Sequence, residues 1–172
     1  MSDEKRTFSR VPVRLKGYAR PMRSLKSSQL FSGDAVEEAP NREELFRNTK
    51  LPEDLTNFLL QMDRKMDRIL GILSKDNLRD DFPYDIEIME LSAAGIKIRS
   101  SQKFAVDSAL EVVIVLSQVP VRMAGSKGRV LGIEEETNLY RFEFVDLRGS
   151  DMEAIVQYVF KQQREQIRNS KY

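Results

Sequence analysis

Residues 84–100 read YDIEIMELSAAGIKIRS, and their pattern decides the fold. Ile86 and Ile88 alternate with Asp85 and Glu87 before a small-residue break. Ile96 and Ile98 alternate with Lys97 and Arg99 after it. Period-two alternation on both sides of Ser-Ala-Ala-Gly predicts two half-buried strands joined by a turn. Gly95 is expected where the chain turns through positive φ or meets another group closely. Glu90 and Ser92 flank the turn with a carboxylate and a hydroxyl, an arrangement able to hold a ligand against backbone. The same stretch also fits a plain hairpin corner.

Outward from the hairpin, further strands follow. Val11, Val13 and Leu15 alternate with Pro12, Arg14 and Lys16, predicting a first strand to about Met22, with Pro12 marking an edge position. Residues 110–116 (LEVVIVL) form a short continuous apolar run, hence a buried strand. Residues 119–123 and 127–134 read as two more, with Gly125 and Gly128 as turn or bulge points. Residues 139–145 (LYRFEFV) alternate again. Antiparallel strands at such spacing predict a closed or nearly closed barrel. The chain ends in a helix, with Ser150 and Glu153 as its capping box and Met152, Ile155, Val156, Val159, Phe160 and Ile167 on one apolar face lying across the barrel.

Between the first strand and the hairpin lies a long insertion. Residues 23–41 are rich in Ser, Gly, Pro and acids and read as a linker or loosely packed excursion, with a short helix at 42–48. Residues 51–74 carry the strongest helical pattern, with Pro52 at the first helical position and Glu53 and Asp54 behind it. Leu55, Leu59, Met62, Met66, Ile69 and Leu73 recur at alternating spacings of four and three, a coiled-coil seam. Phe58 and Ile72 widen it at g positions and Leu70 at an e position, which favours a bundle of more than two helices. Residues 76–83 (DNLRDDFP) read as a polar breaker. The expected organisation is therefore 1–22 (basic segment and first strand), 23–82 (insertion with its helix at about 52–74) and 83–172 (the rest of the barrel and closing helix).

Composition narrows the function. The 172 residues contain no Cys and no His, which excludes disulfides, thiolate nucleophiles, Cys/His metal sites and imidazole catalysis. No Gly-rich phosphate loop precedes a helix, and the acidic pairs fall in turns, so an enzyme is not expected. A formal net charge of +1 argues against nucleic acid as partner. No apolar stretch approaches a membrane span and the N-terminus lacks an apolar leader core, so a cytoplasmic location without membrane insertion is expected. Charge is nevertheless uneven. From Lys5 to Lys26 there are bases at 5, 6, 10, 14, 16, 20, 23 and 26 and no acid, an anion-seeking segment.

Two motifs then combine. Arg6-Thr7-Phe8-Ser9-Arg10, leading into the first strand, resembles the R-x-x-x-R element of the PilZ domain. Glu90-Leu91-Ser92-Ala93-Ala94-Gly95 resembles its [DN]-x-S-x-x-G element at all but the first position, and RFEFVDL with the closing helix is similar to the family's ending. This resemblance implies a six-stranded antiparallel barrel with a C-terminal helix that binds cyclic di-GMP, a bacterial second messenger, and needs no cofactor or metal. It implies ligand contacts from Arg6, Arg10, Glu90, Ser92 and Gly95, with Lys5 adding charge. The insertion resembles that of a tetrameric subgroup whose long helices form a parallel coiled coil, implying a homo-oligomer, tetramer before dimer, that signals to an unidentified downstream protein. The alternative is a scaffold that uses the same fold without nucleotide, which the departure at Glu90 favours.

Overall fold

The alternating strands of the chain close on themselves. The computed structural model of the protein describes residues 8–31, 46, 49–118 and 121–170. Six strands, β1 (Val11–Pro21), β2 (Tyr84–Leu91), β3 (Gly95–Arg99), β4 (Ala109–Gln118), β5 (Val121–Ile133) and β6 (Tyr140–Val145), form a closed antiparallel barrel in the order β1-β2-β3-β6-β5-β4. The barrel is closed, but β1 meets β4 only from Gly17 onward and pairs with β2 alone at Pro12, so the edge position expected there holds for Pro12. It sits beside an irregularity, where the register passes from Pro12↔Glu90 to Leu15↔Ile88. Two β1 residues there face one on β2, a bulge that tolerates a residue without N–H.

Inward-facing residues of every strand fill the barrel, including Val11, Ala19, Ile86, Ile88, Ile96, Ile98, Val130 and Phe142. On β4, Leu110, Val112, Ile114 and Leu116 join this core. The alternate residues Val113 and Val115 join a second cluster with Tyr18 and Phe82, so the strand is buried on both faces. Its continuous apolar run follows from that double burial.

The cover on the outer face is the inserted helix, α1 (Glu53–Asp81), with Pro52 just before its first residue. The expected breaker at 76–83 is instead the last turns of this helix. Asp, Asn and Arg there are indifferent helix formers, but Leu78 and Phe82 dock against Tyr18, Val113 and Val115, and tertiary burial outweighs propensity. Pro83 stops the helix, holding Phe82 in extended backbone. At 29 residues α1 is about 43 Å long. Its C-terminal part meets the barrel, with Gly71 against Val121. Leu55, Phe58, Leu59, Met62, Met66, Ile69, Leu70, Ile72 and Leu73 are all exposed.

Other expectations shift. The strands expected at 119–123 and 127–134 are parts of one long β5, Val121–Ile133, with residues 119 and 120 outside the described residues. Gly125 and Gly128 do not break it; a Cβ at Gly125 would strike the Phe31 ring, and one at Gly128 the Phe142 ring and Glu143 main chain. The closing helix, α2 (Gly149–Ser170), is under way before Ser150, so no capping box forms. Glu153 instead accepts from Gln157 at 3.4 Å, and buried Asp151 accepts the Gly125 N–H at 3.1 Å. Ile155 and Val159 pack into the barrel core, whereas Met152, Phe160 and Ile167 remain exposed. The short helix expected at 42–48 lies, apart from Phe46, outside the described residues.

The linker is not loose where it leaves the barrel. Glu111, on the outer face of β4 and with no solvent exposure, accepts from Arg20 Nε at 2.7 Å and from the N–H groups of Leu30 and Phe31 at 2.9 Å each. Arg20 also lies over the Phe82 ring at 5.8 Å. One carboxylate thus ties β1, β4 and the start of the insertion together. Replacing it by Ala leaves a half-buried guanidinium and two N–H groups without their acceptor. Glu111→Ala is expected to lower stability by about 3 kcal/mol in urea denaturation and to expose residues 23–31 to protease.

Candidate functional site

The Glu90–Gly95 stretch forms the β2–β3 turn, and hydrogen bonds fix its shape. Ser92 N–H donates to the Gly95 carbonyl at 3.0 Å. The Ser92 hydroxyl accepts from the N–H groups of Ala94 and Gly95 at 3.2 Å each and donates to the Gly95 carbonyl at 3.2 Å. One donor and two acceptor positions are all a hydroxyl has, so Ser92, only 4% exposed, is fully used inside the turn. Gly95 is not at positive φ. Its small size serves a close approach instead, because a Cβ would fall on the carbonyl oxygen of Phe142 in β6. The Ala94 carbonyl accepts the Phe144 N–H at 3.0 Å, completing the seat of the turn on β6.

Glu90 reaches the outer face through a bulge. Strict alternation from Ile86 and Ile88 would turn residue 90 into the core. Between β2 and β3 the register passes from Ile88↔Ile98 to Glu90↔Lys97, so Met89 is an extra residue that reverses the phase. Leu91 then faces inward at 0% exposure and Glu90 outward.

There Glu90 enters a row of charges across the barrel wall. Arg10 Nη1 lies 3.8 Å from Glu90 Oε1, and Lys97 Nζ is 3.4 Å from Glu90 Oε2 and 2.9 Å from Glu134 Oε1. The hydrogen bond to Glu134 raises the Lys97 ammonium above its ordinary range. The bond from Lys97, aided by one from Thr137, lowers the Glu134 carboxyl below its own. A second row lies one step along the barrel, where Arg14 donates to Glu87 at 2.6 Å and Arg99 stands 4.0 Å from the same carboxylate. Of the expected ligand residues, the structure thus brings Arg10, Glu90, Ser92 and Gly95 to one end of the barrel. Lys5 and Arg6 lie outside the described residues. Lys97 and Glu134 escaped the sequence reading because their meeting with Glu90 depends on the β2–β3 bulge and on the β5–β6 connection. Among the described residues no group of acidic side chains could hold a metal ion, and no helix is long and apolar enough to cross a membrane.

This barrel, its closing helix and the turn at its mouth define a class. The PilZ domain model matches residues 67–161, more than half of the chain, and the protein belongs to that family. PilZ domains are binding and adaptor domains whose ligand is cyclic di-GMP. No curated protein matches the sequence. Solved structures that share the fold include the following two. A tetrameric PilZ domain from Xanthomonas campestris, self-assembled via a helical bundle, is 18% identical, with a TM-score of 0.57 over 95% of this chain and 90% of that one. The Bacillus subtilis inhibitor of motility MotI/DgrA is 12% identical, with a TM-score of 0.51 over 93% of this chain. The present chain spans about half of that protein, 52% of its length.

The seat of the turn gives a direct test. Gly95→Ala should force β3 away from β6 and cost about 2 kcal/mol in thermal or urea unfolding, with the largest amide shifts at 92–95 and 142–144.

Proposed function

We propose that the protein is a self-associating receptor for cyclic di-GMP that passes ligand occupancy to a downstream protein. The observation that carries this reading is Arg10 beside the Glu90–Gly95 turn on the outer face of the barrel. The ligand has two phosphates and two guanines with O6 and N7 acceptors, and arginine forks match both in bidentate geometry. Arg6 and Arg10, four residues apart ahead of β1, are proposed to close over a ligand resting on the barrel, with Lys5 adding charge. Gly95 seats the turn on β6, where a Cβ would meet the Phe142 carbonyl, and so fixes the surface that the ligand meets. Ser92 keeps the turn in shape, and its one O–H is the group it can redirect from the Gly95 carbonyl to a guanine.

Glu90 has two consequences. At 3.8 Å it holds Arg10 near the turn, and Lys97 neutralises it from the other side. A phosphate displacing so exposed an ion pair gives up no more than about 1 kcal/mol. The same engagement supports a second reading, a PilZ-fold scaffold without nucleotide, because the Glu90 carboxylate is occupied by protein cations. Ordering of the Arg-bearing segment over the barrel would change the exposed surface and supply the signal.

Self-association rests on α1. Nine large apolar side chains along one exposed helix exceed what a lone soluble domain presents. The spacing of Leu55, Leu59, Met62, Met66, Ile69 and Leu73, with apolar e and g neighbours, favours a bundle of four helices over a pair. The likeness to a PilZ domain that assembles through a helical bundle supports the same reading.

Titration calorimetry tests the receptor reading. The wild-type chain should bind cyclic di-GMP saturably, and Arg6→Ala with Arg10→Ala should weaken binding by about a hundredfold or more while leaving the native mass unchanged. Absence of binding to the wild type would overturn the receptor reading and favour the scaffold. Separately, Met62→Asp with Ile69→Asp should dissociate the oligomer in sedimentation, since it places like charges in the seam; a monomeric wild type would refute self-association and leave the ligand reading intact.

A further inference from the structure

The acid-free basic run does not end with the residues used above. Arg10, Arg14 and Arg20 each meet a carboxylate, on Glu90, Glu87 and Glu111 respectively. Arg23 and Lys26 meet none among the described residues, and β1 carries them roughly 30 Å from the turn at Ser92. At that far end Met22 N–H donates to the Ala109 carbonyl at 2.9 Å. The following bend is steadied by the Ser24 hydroxyl, which accepts the Lys26 N–H at 3.0 Å. The bend faces the loop between β3 and β4, and a cavity of about 680 Å³ lies between them.

The two sides of this cavity differ in chemistry. Tyr84 and Phe104 form an aromatic wall, edge to face at 6.0 Å, and Phe104 is backed by Tyr140 at 5.3 Å. Arg23, Lys26 and Lys103 also line it, from segments some 80 residues apart, against a single carboxylate, Asp107. Lys103, like Arg23 and Lys26, has no acidic partner among the described residues. Three cations around one concavity repel one another, and an anion within it relieves that repulsion. The volume falls in the range of small-molecule sites, about 300–1,000 Å³. Aromatic walls offer area to a flat ring, and Arg23 a fork for an oxyanion.

The geometry points to a second ligand site at this end of the barrel, for a small organic anion with a flat apolar body: an aryl or heteroaryl phosphate, sulfonate or carboxylate. It shares no residue with the proposed cyclic di-GMP site and does not depend on that reading.

Titration of the full chain with 1-naphthyl phosphate, followed by amide chemical shifts, tests it. Saturable shifts are expected at residues 22–26 and 102–109. Arg23→Gln with Lys103→Gln should weaken binding by about tenfold or more. Ala105→Trp, which fills the cavity without changing its charge, should block binding, and Arg10→Ala should leave it unaltered. Shifts confined to α1 or to the Arg10 face, no saturation at millimolar probe, or wild-type affinity in both cavity variants would overturn the proposal.

Discussion

A carboxylate with no exposure to water, on the outside of a barrel wall, organises the junction between this barrel and its insertion. Glu111 is desolvated by the chain segment that it binds. Its Arg20 partner and the Leu30 and Phe31 amides supply the donors that a buried anion requires. Arg20 in turn covers Phe82, the residue that ends α1, and Phe31 lies over Gly125 of β5. Gly125 gives its N–H to Asp151 of α2. Four elements from distant parts of the sequence are thereby fixed against one patch of wall. Leu78 and Phe82 anchor the C-terminal end of the long helix on that patch, and Phe31 packs in the same cluster.

β1 is the stave that links the protein's two ends. It pairs with β2 on one side and β4 on the other, closing the barrel, while Arg10 stands at its beginning and Arg20 near its end. The strand is paired on both edges from Gly17 to Ala19 and with β2 alone at Val11 and Pro12. Beside Arg10, Ser92 saturates its own hydrogen bonds within the β2–β3 turn and Gly95 seats that turn on Phe142, so the shape of the turn is set by the chain itself.

Much of this was legible in the residues. Alternation located the β2–β3 hairpin, β1 and β6, a continuous apolar run located β4, and the three-four spacing located α1. Composition removed thiol, imidazole and Cys/His metal chemistry, and Arg10 and the Glu90–Gly95 motif, both singled out in the sequence, lie at one end of the barrel. The misreadings share a cause: each local signal was overruled by a contact far away in the chain. Gly125 and Gly128 resembled strand breaks because nothing local shows that a Phe31 or Phe142 ring needs the space. The polar residues 76–81 resembled a breaker because Leu78 and Phe82 gain their burial only once β4 is beside them.

By itself the sequence determined the strands and the long helix, the basic segment and the turn with its Ser and Gly, because periodicity and residue chemistry are local properties. Only the tertiary structure decided that Glu90 faces outward, since the Met89 bulge that reverses its phase exists only in pairing with β3. The same holds for Glu111, whose charge reads as a flaw in an apolar strand until Arg20 and the 30–31 amides close over it, and for the cavity between the 22–26 bend and the β3–β4 loop. Register, closure and burial are relations between strands, and no single stretch carries them.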